Sequence, residues 1–515
     1  MRRHYLLAFA ILAILHLHAQ VFTSSGLKYA GNGGGCVAII GYSSVLTTNL
    51  KIPAQVEYQG TTYRVNSIRA RAFVGQTKIM NLILPEQLDT IGQDAFYKCQ
   101  YLRNVTGLKK LDVCEAYAFS KTSITSLDWS QVEIGTIGNG AFAQCARLTQ
   151  VSLPPQLKSL SEAIFRGCTS LTSVNLSSLP LTSIGPRAFA QCSALQTLEL
   201  PSTLTSIGDQ AFADMAALTA IELPEGITTI GAQAFNGCTM LETLKLPDGL
   251  TTIGYAPFAG CNALREVMLP AKLSDIDNKY IFSDCPALEN ISIGENPRYY
   301  SCTDGVLRNR IGSKIIAYPA ALSRQVHPTL RATAQPLAPG ALMGCELDED
   351  LLLPAQVSAV PREAFAGTSG MKSMEMANRS NLSSIEMRAF ENSRDLTYVT
   401  IPSRMKNIDN AAFIGCDNIK DVFTLPTTVP TLAETAFSQT VYENAFLHTQ
   451  TDKAALYEEA TGWSLFNHIA DDCTTDIKQT TTDERPVYYN LQGIRVSNPR
   501  KGIFIENTKK KVIKL

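Results

Sequence analysis

The sequence predicts a β-rich α/β solenoid in which leucine-rich repeats of about 23 residues stack as a right-handed coil. Three observations carry this prediction: an anchor residue recurs, each copy has the same apolar pattern, and the interval between copies is 23 or 24 residues with one of 25 and one gap of 60. The anchors are Phe73, Phe96, Phe119, Phe142, Phe165, Phe189, Phe212, Phe235, Phe258, Phe282, Leu342, Phe365, Phe390, Phe413 and Phe437.

Each repeat contains two short extended pieces and one corner. In Leu218–Pro224 the apolar residues alternate as in a strand, and Pro224 ends it because proline lacks a backbone donor. Thr228–Gly231 predicts a second strand, turned by its glycine. The apolar spacing in Ala234–Cys238 predicts one helical or 3₁₀ turn that faces inward. A single coil cannot bury these side chains, so stacking must do so.

Both ends of the repeat array carry sequence that differs from the repeat, as solenoid caps do. Alternating apolar residues before Phe73 predict strands, with a hairpin turn at Gln59–Gly60. The predicted organisation is a signal peptide (1–19), an N-terminal β cap (20–66), the solenoid (67–440, with a hairpin insertion near 294–326), a C-terminal cap helix (441–470), a linker (471–486) and a small C-terminal β unit (487–515).

After the last anchor, the chain predicts a short helix with Asp452 as its N-cap and Gly462 at its C-terminal end. Trp463 and Phe466 are expected to cover the last coil. In the gap between Phe282 and Leu342, Ser301–Leu307 and Lys314–Pro319 predict a hairpin that protrudes from the solenoid. It is interpreted as a tolerated loop insertion or as a ligand contact.

Nine of the 13 cysteines follow an anchor by three residues, which indicates small buried thiols rather than disulfides. Stacked coils hold equivalent residues about 4.7–4.9 Å apart with parallel side chains, whereas a disulfide needs Cβ atoms about 3.5–4.5 Å apart. The sequence leaves open whether the remaining four cysteines form disulfides; they are Cys36, Cys114, Cys302 and Cys473.

The first residues predict export. Arg2 and Arg3 precede an apolar stretch from Tyr5 to Leu17, and Ala19 ends a plausible cleavage site. That stretch is short for a membrane span, and no later segment is long and apolar enough, so no transmembrane span is expected. The formal net charge of −1 offers no excess of positive charge for binding the phosphates of nucleic acid.

The sequence offers no catalytic, cofactor-binding or metal-binding residues. His327, His448 and His468 are isolated, which indicates satisfied surface or cap histidines. Nucleophile elbows, phosphate loops and zinc motifs are absent from the sequence. The acidic runs Asp348–Asp350 and Asp471–Asp472 suit exposed loops. We therefore predict that the protein is not an enzyme.

The outward positions of the first strand in each repeat are polar and variable over an apolar skeleton, which suits a partner-binding face. The predicted face comprises Asn175, Thr197, Glu199, Glu222, Thr243, Lys245, Glu266, Met268 and Tyr398. A merely solvated sheet face would have the same polarity. Glu199, Glu222 and Glu266 form the patch with the strongest case for mutation.

With these residues in view, the chain closely resembles the BspA-like leucine-rich-repeat proteins of bacterial cell surfaces. The resemblance rests on the Leu-Pro…Leu-Thr-x-Ile-Gly-x-x-Ala-Phe-x-x-Cys pattern, the Asp304-Gly-Val-Leu hairpin and the segment from Ala454 to Phe466, and it spans roughly residues 26–470. It implies an extracellular or surface-attached protein with a role in adhesion to host matrix proteins or other bacteria.

The tail from Val487 to Lys514 resembles the C-terminal sorting domains of type IX secretion, although it is shorter. This second resemblance implies recognition by secretion machinery at the outer membrane. The alternative is that its lysines edge a small solvated hairpin.

These observations favour an exported surface adhesin that binds a host matrix protein, a glycan or another cell through its solenoid face. The alternative is a periplasmic or outer-membrane scaffold or nutrient-capture protein. A hydrolytic site at the Asp304 hairpin is a weaker third hypothesis.

Overall fold

The computed structural model describes residues 21–43, 46–276, 279–325, 337–348, 350–353, 355–376 and 380–473, together with four short C-terminal strands. The predicted signal peptide and nearly all of the predicted linker lie outside the described residues. The chain is a β-solenoid of about 17 turns with little helix, as the repeat predicted.

The N-terminal cap consists of antiparallel hairpins that lead into the first coil. Gln59 and Gly60 have φ of 49° and 75°, the left-handed conformation that a two-residue hairpin turn needs, so the predicted turn is confirmed. The cap strands are Val21–Ser24, Leu27–Gly31, Cys36–Tyr42, Gln55–Tyr58 and Thr61–Ile68. The last of them pairs in parallel with the solenoid strand Gln87–Ile91.

Two parallel β walls run along the solenoid, built from equivalent short strands of successive coils. We call the first wall A. Its strands are Asn49–Lys51, Asn81–Ile83, Asn104–Thr106, Ser126–Asp128, Gln150–Ser152, Ser173–Val174, Thr243–Lys245, Glu266–Leu269, Asn290–Ile293, Asp350–Leu353, Ser373–Met376, Tyr398–Ile401, Asp421–Thr424, Phe446–Gln450 and His468–Cys473. A bridge between Thr197 and Ala220 joins two intervening coils.

We call the second wall, formed by the Ile-Gly pieces of the repeat, wall B. Its strands pair in parallel with a constant register, for example Ser206 with Thr229 and Ile207 with Ile230. After Thr61–Ile68, the strands are Gln87–Ile91, Lys110–Cys114, Glu133–Ile137, Ser159–Leu160, Ser183–Ile184, Ser206–Ile207, Thr229–Ile230, Thr252–Ile253, Ala359–Val360, Ser384–Ile385, Asn407–Ile408 and Thr431–Leu432.

The glycine that follows each wall B strand is required for close approach rather than for turning. The φ of Gly231 lies outside the positive region, and a Cβ at this residue would lie 2.4 Å from the backbone nitrogen of Asp209 in the preceding coil. A Cβ added at the equivalent glycines would lie 2.2 to 2.7 Å from the nearest backbone atom of the preceding coil. These glycines are Gly92, Gly138, Gly185, Gly208 and Gly254. Small residues here let the coils pack at strand spacing.

The corner is neither α-helix nor 3₁₀-helix, which corrects the prediction. In the first coil, the N–H groups of Arg71, Phe73 and Gly75 donate to carbonyls of the next coil, at 2.8 Å each. Arg71 and Gly75 have φ of 62° and 70°, and later coils place mostly polar or glycine residues at these left-handed positions, with alanine at Ala163, Ala256 and Ala411. The N–H groups that alternate with these, those of Ala72, Val74 and Gln76, donate to carbonyls three residues earlier at 3.3 Å. The corner is therefore a series of turns in which local hydrogen bonds alternate with bonds between coils.

The anchor phenylalanines form a buried stack in two runs, one on each side of the insertion. Neighbouring rings lie 4.8 to 6.0 Å apart between centroids, most of them nearly parallel, from Phe73 to Phe282 and again from Phe365 to Phe437. All are fully or almost fully buried except Phe282, which is partly exposed. This stack fills the core that a single coil could not close.

The cysteine column hydrogen-bonds the anchor column. The thiol of Cys238 donates to the carbonyl of Phe212 at 3.2 Å, in the preceding coil. Ser393 takes the same place in its coil, and its hydroxyl donates to the carbonyl of Phe365 at 2.8 Å. The same thiol-to-anchor bond is formed by Cys99, Cys145, Cys168, Cys192, Cys261, Cys285 and Cys416. The slot therefore selects a small buried donor.

All 13 cysteines are free thiols, including the four that the sequence left open. Burial raises the pKa of Cys99 to about 12 and that of Cys302 to about 11, so at neutral pH these groups stay protonated and unreactive.

The insertion after the tenth anchor is part of the core and does not protrude, which corrects the sequence interpretation. It forms an antiparallel sheet of Tyr300–Thr303, Val306–Asn309 and Ile315–Ala317, followed by the helix Ala320–Ser323. Leu307 is fully buried, and the hydroxyl of Tyr300 accepts a 2.9 Å hydrogen bond from the N–H of Ile276. Asp304 and Gly305 make the predicted hairpin turn.

The C-terminal cap closes the last coil with aromatic side chains, as predicted. Trp463 is fully buried, and its Nε1 donates to the carbonyl of Pro430 at 2.7 Å. Phe466 is 4% exposed. The cap contains the helices Gln439–Asn444 and Ala454–Glu458 and the 3₁₀ turn Trp463–Leu465.

Asp452 is not the N-cap of the second cap helix, contrary to prediction. Its φ is 63°, and its own N–H donates to Asp471. The carboxylate of Asp471 also accepts from the N–H groups of Lys453 and Ala454, at 3.1 and 2.9 Å. A residue from the following strand therefore satisfies the donors that a local cap usually satisfies.

The C-terminal segment contains a four-stranded antiparallel sheet. Its strands, in sheet order, are Arg495–Val496, Tyr488–Tyr489, Ile503–Glu506 and Lys511–Lys514.

Candidate binding surface

The predicted binding residues lie on the outward face of wall A, because residues flanking each central aliphatic residue point away from the core. Strand register pairs Thr243 with Glu266 and Lys245 with Met268. Thr197 pairs with Ala220 of the following coil. All of the predicted residues in the middle of the wall are exposed except Asn175; they are Thr197, Glu199, Glu222, Thr243, Lys245, Glu266 and Met268.

Asn175 is partly buried and its amide is used within the wall. Its oxygen accepts a 2.6 Å hydrogen bond from the N–H of Leu153, and its nitrogen donates to the carbonyl of Leu153 at 3.4 Å. This side chain joins two coils in the absence of a longer strand, since the strand of its own coil ends at Val174.

The middle of the wall has mixed charge. Lys245 forms a 3.4 Å ion pair with Glu225, which lies in the preceding turn. Among the described residues, Glu199, Glu222 and Glu266 have no ion-pair partner, so this part of the face is locally acidic. Exposed pairs such as Lys245 with Glu225 contribute little to stability, about 0–1 kcal/mol, so these charges are available for recognition.

A second group of side chains, missed by the sequence reasoning except for Tyr398, lies at the C-terminal end of the same face. We call it the aromatic–histidine patch. It consists of Tyr398, Phe423, Phe446, His448 and His468 on four successive strands. The repeat interval indicates these positions. Steps of 23 and then 25 residues lead from Tyr398 to Asp421 and Phe446. The same steps lead from Thr400 to Phe423 and His448.

Rings in the patch stack in pairs. Phe423 and His448 have centroids 4.6 Å apart with planes inclined by 13°, and Phe446 and His468 are 5.0 Å apart at 24°. Phe446 is 48% exposed, one of the larger exposed apolar side chains of the described chain. The two histidines that seemed isolated in sequence therefore lie on neighbouring strands.

His448 is held between two carboxylates. Its Nδ1 lies 2.7 Å from Asp472 and its Nε2 lies 3.1 Å from Asp421. Partial burial acts to lower the pKa of His448, but the hydrogen bonds and charges of the two aspartates outweigh it, and the pKa is raised above 6.5. Both nitrogens can donate only in the imidazolium form, so the geometry stabilises a positive charge over the Phe423 ring.

The acidic run at 471–472 is used structurally. Asp471 accepts a 2.8 Å hydrogen bond from Thr449 as well as those from the helix backbone. The bond from Thr449, followed by those from the backbone, lowers the pKa of Asp471. Asp472 faces His448. No group of three or more His, Cys, Asp or Glu side chains within the described ranges is arranged to hold a metal ion. His327 lies outside the described residues.

No helix in the described part of the chain is both long and apolar enough to cross a membrane. Stacked leucine-rich repeats are typically non-enzymatic and generally bind other proteins. Solenoids use extended surfaces for binding, and the exposed strip of wall A is the candidate for such a surface in this chain.

Several solved structures of bacterial leucine-rich-repeat proteins are similar to this chain at low identity. One from Bacteroides ovatus is 23% identical, covers 78% of this chain and 94% of its own, and has a TM-score of 0.46. A leucine-rich cell surface protein from Faecalibacterium prausnitzii is 20% identical, covering 87% and 94%, with a TM-score of 0.38. The chain has no significant match among curated proteins.

The repeat itself gives a family match over more than half of the chain. Six copies of the BspA type leucine-rich repeat region match residues 66–196, 182–301 and 337–457. These ranges follow the stacked coils and leave out most of the inserted sheet. The chain belongs to the BspA-type leucine-rich-repeat family.

Proposed function

We propose that this protein is an exported adhesin that binds a protein or glycan on a host or bacterial surface through the outward face of wall A. One observation carries the proposal: the exposed residues of this wall vary from coil to coil while the residues beneath them repeat. The face from Asn49 to Asn290 spans eleven coils, a length of about 50 Å at normal strand spacing.

Variation on a rigid, repeated scaffold is what a binding surface requires. Buried positions such as Leu244 and Val267 keep the wall in register, so outward side chains are held at fixed intervals. Membership of a leucine-rich-repeat family supports a binding role. Export and surface location are further parts of the proposal, supported by the predicted leader and the sorting-like tail.

Binding is tested with the mature chain on arrays of matrix proteins, mucin-type glycans and whole bacteria. The double variant Glu199→Gln/Glu222→Gln should weaken binding about three- to tenfold, since rim charges act mainly on association. The matched control is Glu57→Gln/Glu133→Gln, which removes the same charge from exposed strand positions outside wall A. An equal loss of binding in both variants would contradict the proposal. So would the finding that the chain binds none of these surfaces saturably.

Location is tested separately, by protease shaving of intact cells and fractionation. The proposal predicts that shaving digests the protein and that deletion of residues 487–515 leaves it inside the cell. A chain protected from protease in intact cells would instead support the periplasmic scaffold or nutrient-capture alternative.

A further inference from the structure

The corners of the second and third coils place two lysines side by side. Lys98 and Lys121 each follow an anchor by two residues, and both have the left-handed backbone of this position, with φ of 61° and 58°. The N–H of Lys98 donates to the carbonyl of Ser120, the residue before Lys121, at 3.0 Å. Stacked coils hold equivalent residues about 4.8 Å apart, so the two side chains leave the backbone next to each other.

Both ammonium groups gather at one aromatic ring. The Nζ atoms of Lys98 and Lys121 lie 5.3 and 5.6 Å from the centroid of the Tyr97 ring. The ring attracts each cation, and this brings two like charges into one small area. Because neighbouring like charges repel, binding of an anion beside them is favourable.

The carboxylates on the same corners do not neutralise this pair. Within the described part of the chain, neither lysine forms an ion pair. The carboxylate of Glu115 accepts a 2.7 Å hydrogen bond from the N–H of Gln93, and that of Asp94 accepts one from the Gln93 amide at 3.5 Å. The charges of the two lysines therefore stay available to an anion from outside the chain.

An exposed aromatic ring adjoins the lysines. Tyr101 follows Lys98 by three residues and is 47% exposed. The equivalent positions of the first and fourth coils, two residues after the cysteine column, are the exposed basic residues Lys78 and Arg147. This surface thus combines an open ring with positive charge on both sides of it along the solenoid. We call it the basic corner; it consists of Tyr97, Lys98, Tyr101 and Lys121.

We propose that the basic corner binds an acidic polysaccharide that carries sulfate or carboxylate groups. The two ammonium groups pair with the anionic substituents, and the ring of Tyr101 stacks on the face of a sugar. An acidic peptide needs the lysines but not the exposed ring beside them, so the ring favours the polysaccharide. The basic corner lies between walls B and A. This site is therefore separate from the binding face proposed above and does not depend on it.

The test measures binding of the full mature chain to dextran sulfate, polygalacturonate and neutral dextran. We expect saturable binding of one or both polyanions, weakened by added salt, and no saturable binding of neutral dextran. The double variant Lys98→Gln/Lys121→Gln should weaken binding of the polyanion about tenfold, because it removes both charged donors. Glutamine fits this backbone, since Gln144 and Gln191 occupy the same position in later coils with φ of 58° and 65°. Tyr101→Ala should weaken binding about threefold.

The matched control is Lys158→Gln/Lys272→Gln, which removes the same charge from exposed positions of later coils and should leave binding unchanged. Three results would overturn the inference: unchanged binding in Lys98→Gln/Lys121→Gln, equal binding of neutral dextran, or no saturable binding of either polyanion. Polyglutamate bound as tightly as the polysaccharides, with no effect of Tyr101→Ala, would assign the basic corner to acidic peptides instead.

Discussion

Replacing Phe212, in the middle of the anchor stack, tests how the coils hold each other. Phe212 is fully buried, with ring centroids 6.0 Å from Phe189 and 5.1 Å from Phe235. Truncation to alanine leaves a cavity that neighbouring coils can fill only by shifting, and such changes cost about 3–5 kcal/mol. Leucine keeps most of the volume, and Leu342 is fully buried in the same slot. Phe212→Leu should therefore lose mainly the ring contacts, about 1–2 kcal/mol.

Native-state hydrogen exchange measures this change locally, because a solenoid opens in segments. The N–H groups of Phe189 and Phe212 bond to carbonyls of the next coil at 2.8 Å and report the opening of this region. About 4 kcal/mol corresponds to roughly a thousandfold faster exchange for Phe212→Ala, and about 1.4 kcal/mol to tenfold for Phe212→Leu. Met268→Ala, on the exposed face, should change exchange little.

Unchanged exchange at Phe189 in Phe212→Ala would refute the reasoning, since coils that do not depend on each other for burial would not form this stack. Equal effects of Ala and Leu would show that ring contacts, rather than filled volume, determine the stability.

Three further predictions follow from the walls and the cap. Cys238→Ser should be nearly neutral and Cys238→Ala should cost about 1 kcal/mol of unfolding free energy, because only alanine loses the hydrogen bond to the anchor carbonyl; urea unfolding measures both. Gly231→Ala should cost about 1–3 kcal/mol, because its Cβ would meet the backbone of Asp209 at 2.4 Å. The raised pKa of His448 should stabilise the last coils fully below pH 6.5 and lose that effect as the pH rises through the folded-state pKa; exchange at the last wall A strands measures it.

Each of these has a matched comparison. In Gly312→Ala the added Cβ meets no atom within 4 Å, but Gly312 has a φ of 72°. This variant therefore measures the strain of left-handed backbone without a steric clash, whereas Gly231→Ala measures the clash. His448→Gln should abolish the loss of stability of the last coils as the pH rises above 6.5. A pH response that persists in His448→Gln, or a Cys238→Ser variant as unstable as Cys238→Ala, would contradict the assignments.

The repeat interval predicts most of the fold because it acts at every coil. Fifteen anchors at steps of 23 to 25 residues, with one gap, leave a single way to bury them, so the walls, the stack and the buried cysteine column follow. The turn residues Gln59 and Gly60 predict the hairpin of the N-terminal cap, and the aromatic residues after Phe437 predict the C-terminal cap.

The details that sequence reasoning missed depend on contacts between coils. Spacing within one repeat suggests a helical corner, whereas every second N–H group of the corner bonds to a carbonyl of the next coil. A local pattern favours Asp452 as a cap, whereas Asp471, distant in sequence, satisfies the helix donors. The inserted sheet joins the core because its apolar residues replace a coil, which the gap in the repeat could not show.

The binding surface was predicted in part. The columns of the repeat place Glu199, Glu222 and Lys245 on wall A, but the predicted columns end at Tyr398, before the last coils. His448 therefore seemed isolated, although register puts it between Asp421 and Asp472. Continuing the same interval into the C-terminal cap would have found the aromatic–histidine patch.

Carboxyl-group footprinting of the mature chain, with and without an adhesion partner, tests the central claim most directly. Labelling reports which acidic side chains a bound partner covers. If wall A is the binding surface, Glu199, Glu222 and Asp421 should be protected, while Glu57 and Glu133 keep their labelling. Protection at Glu57 or Glu133, with wall A labelled as in the free chain, would contradict the account.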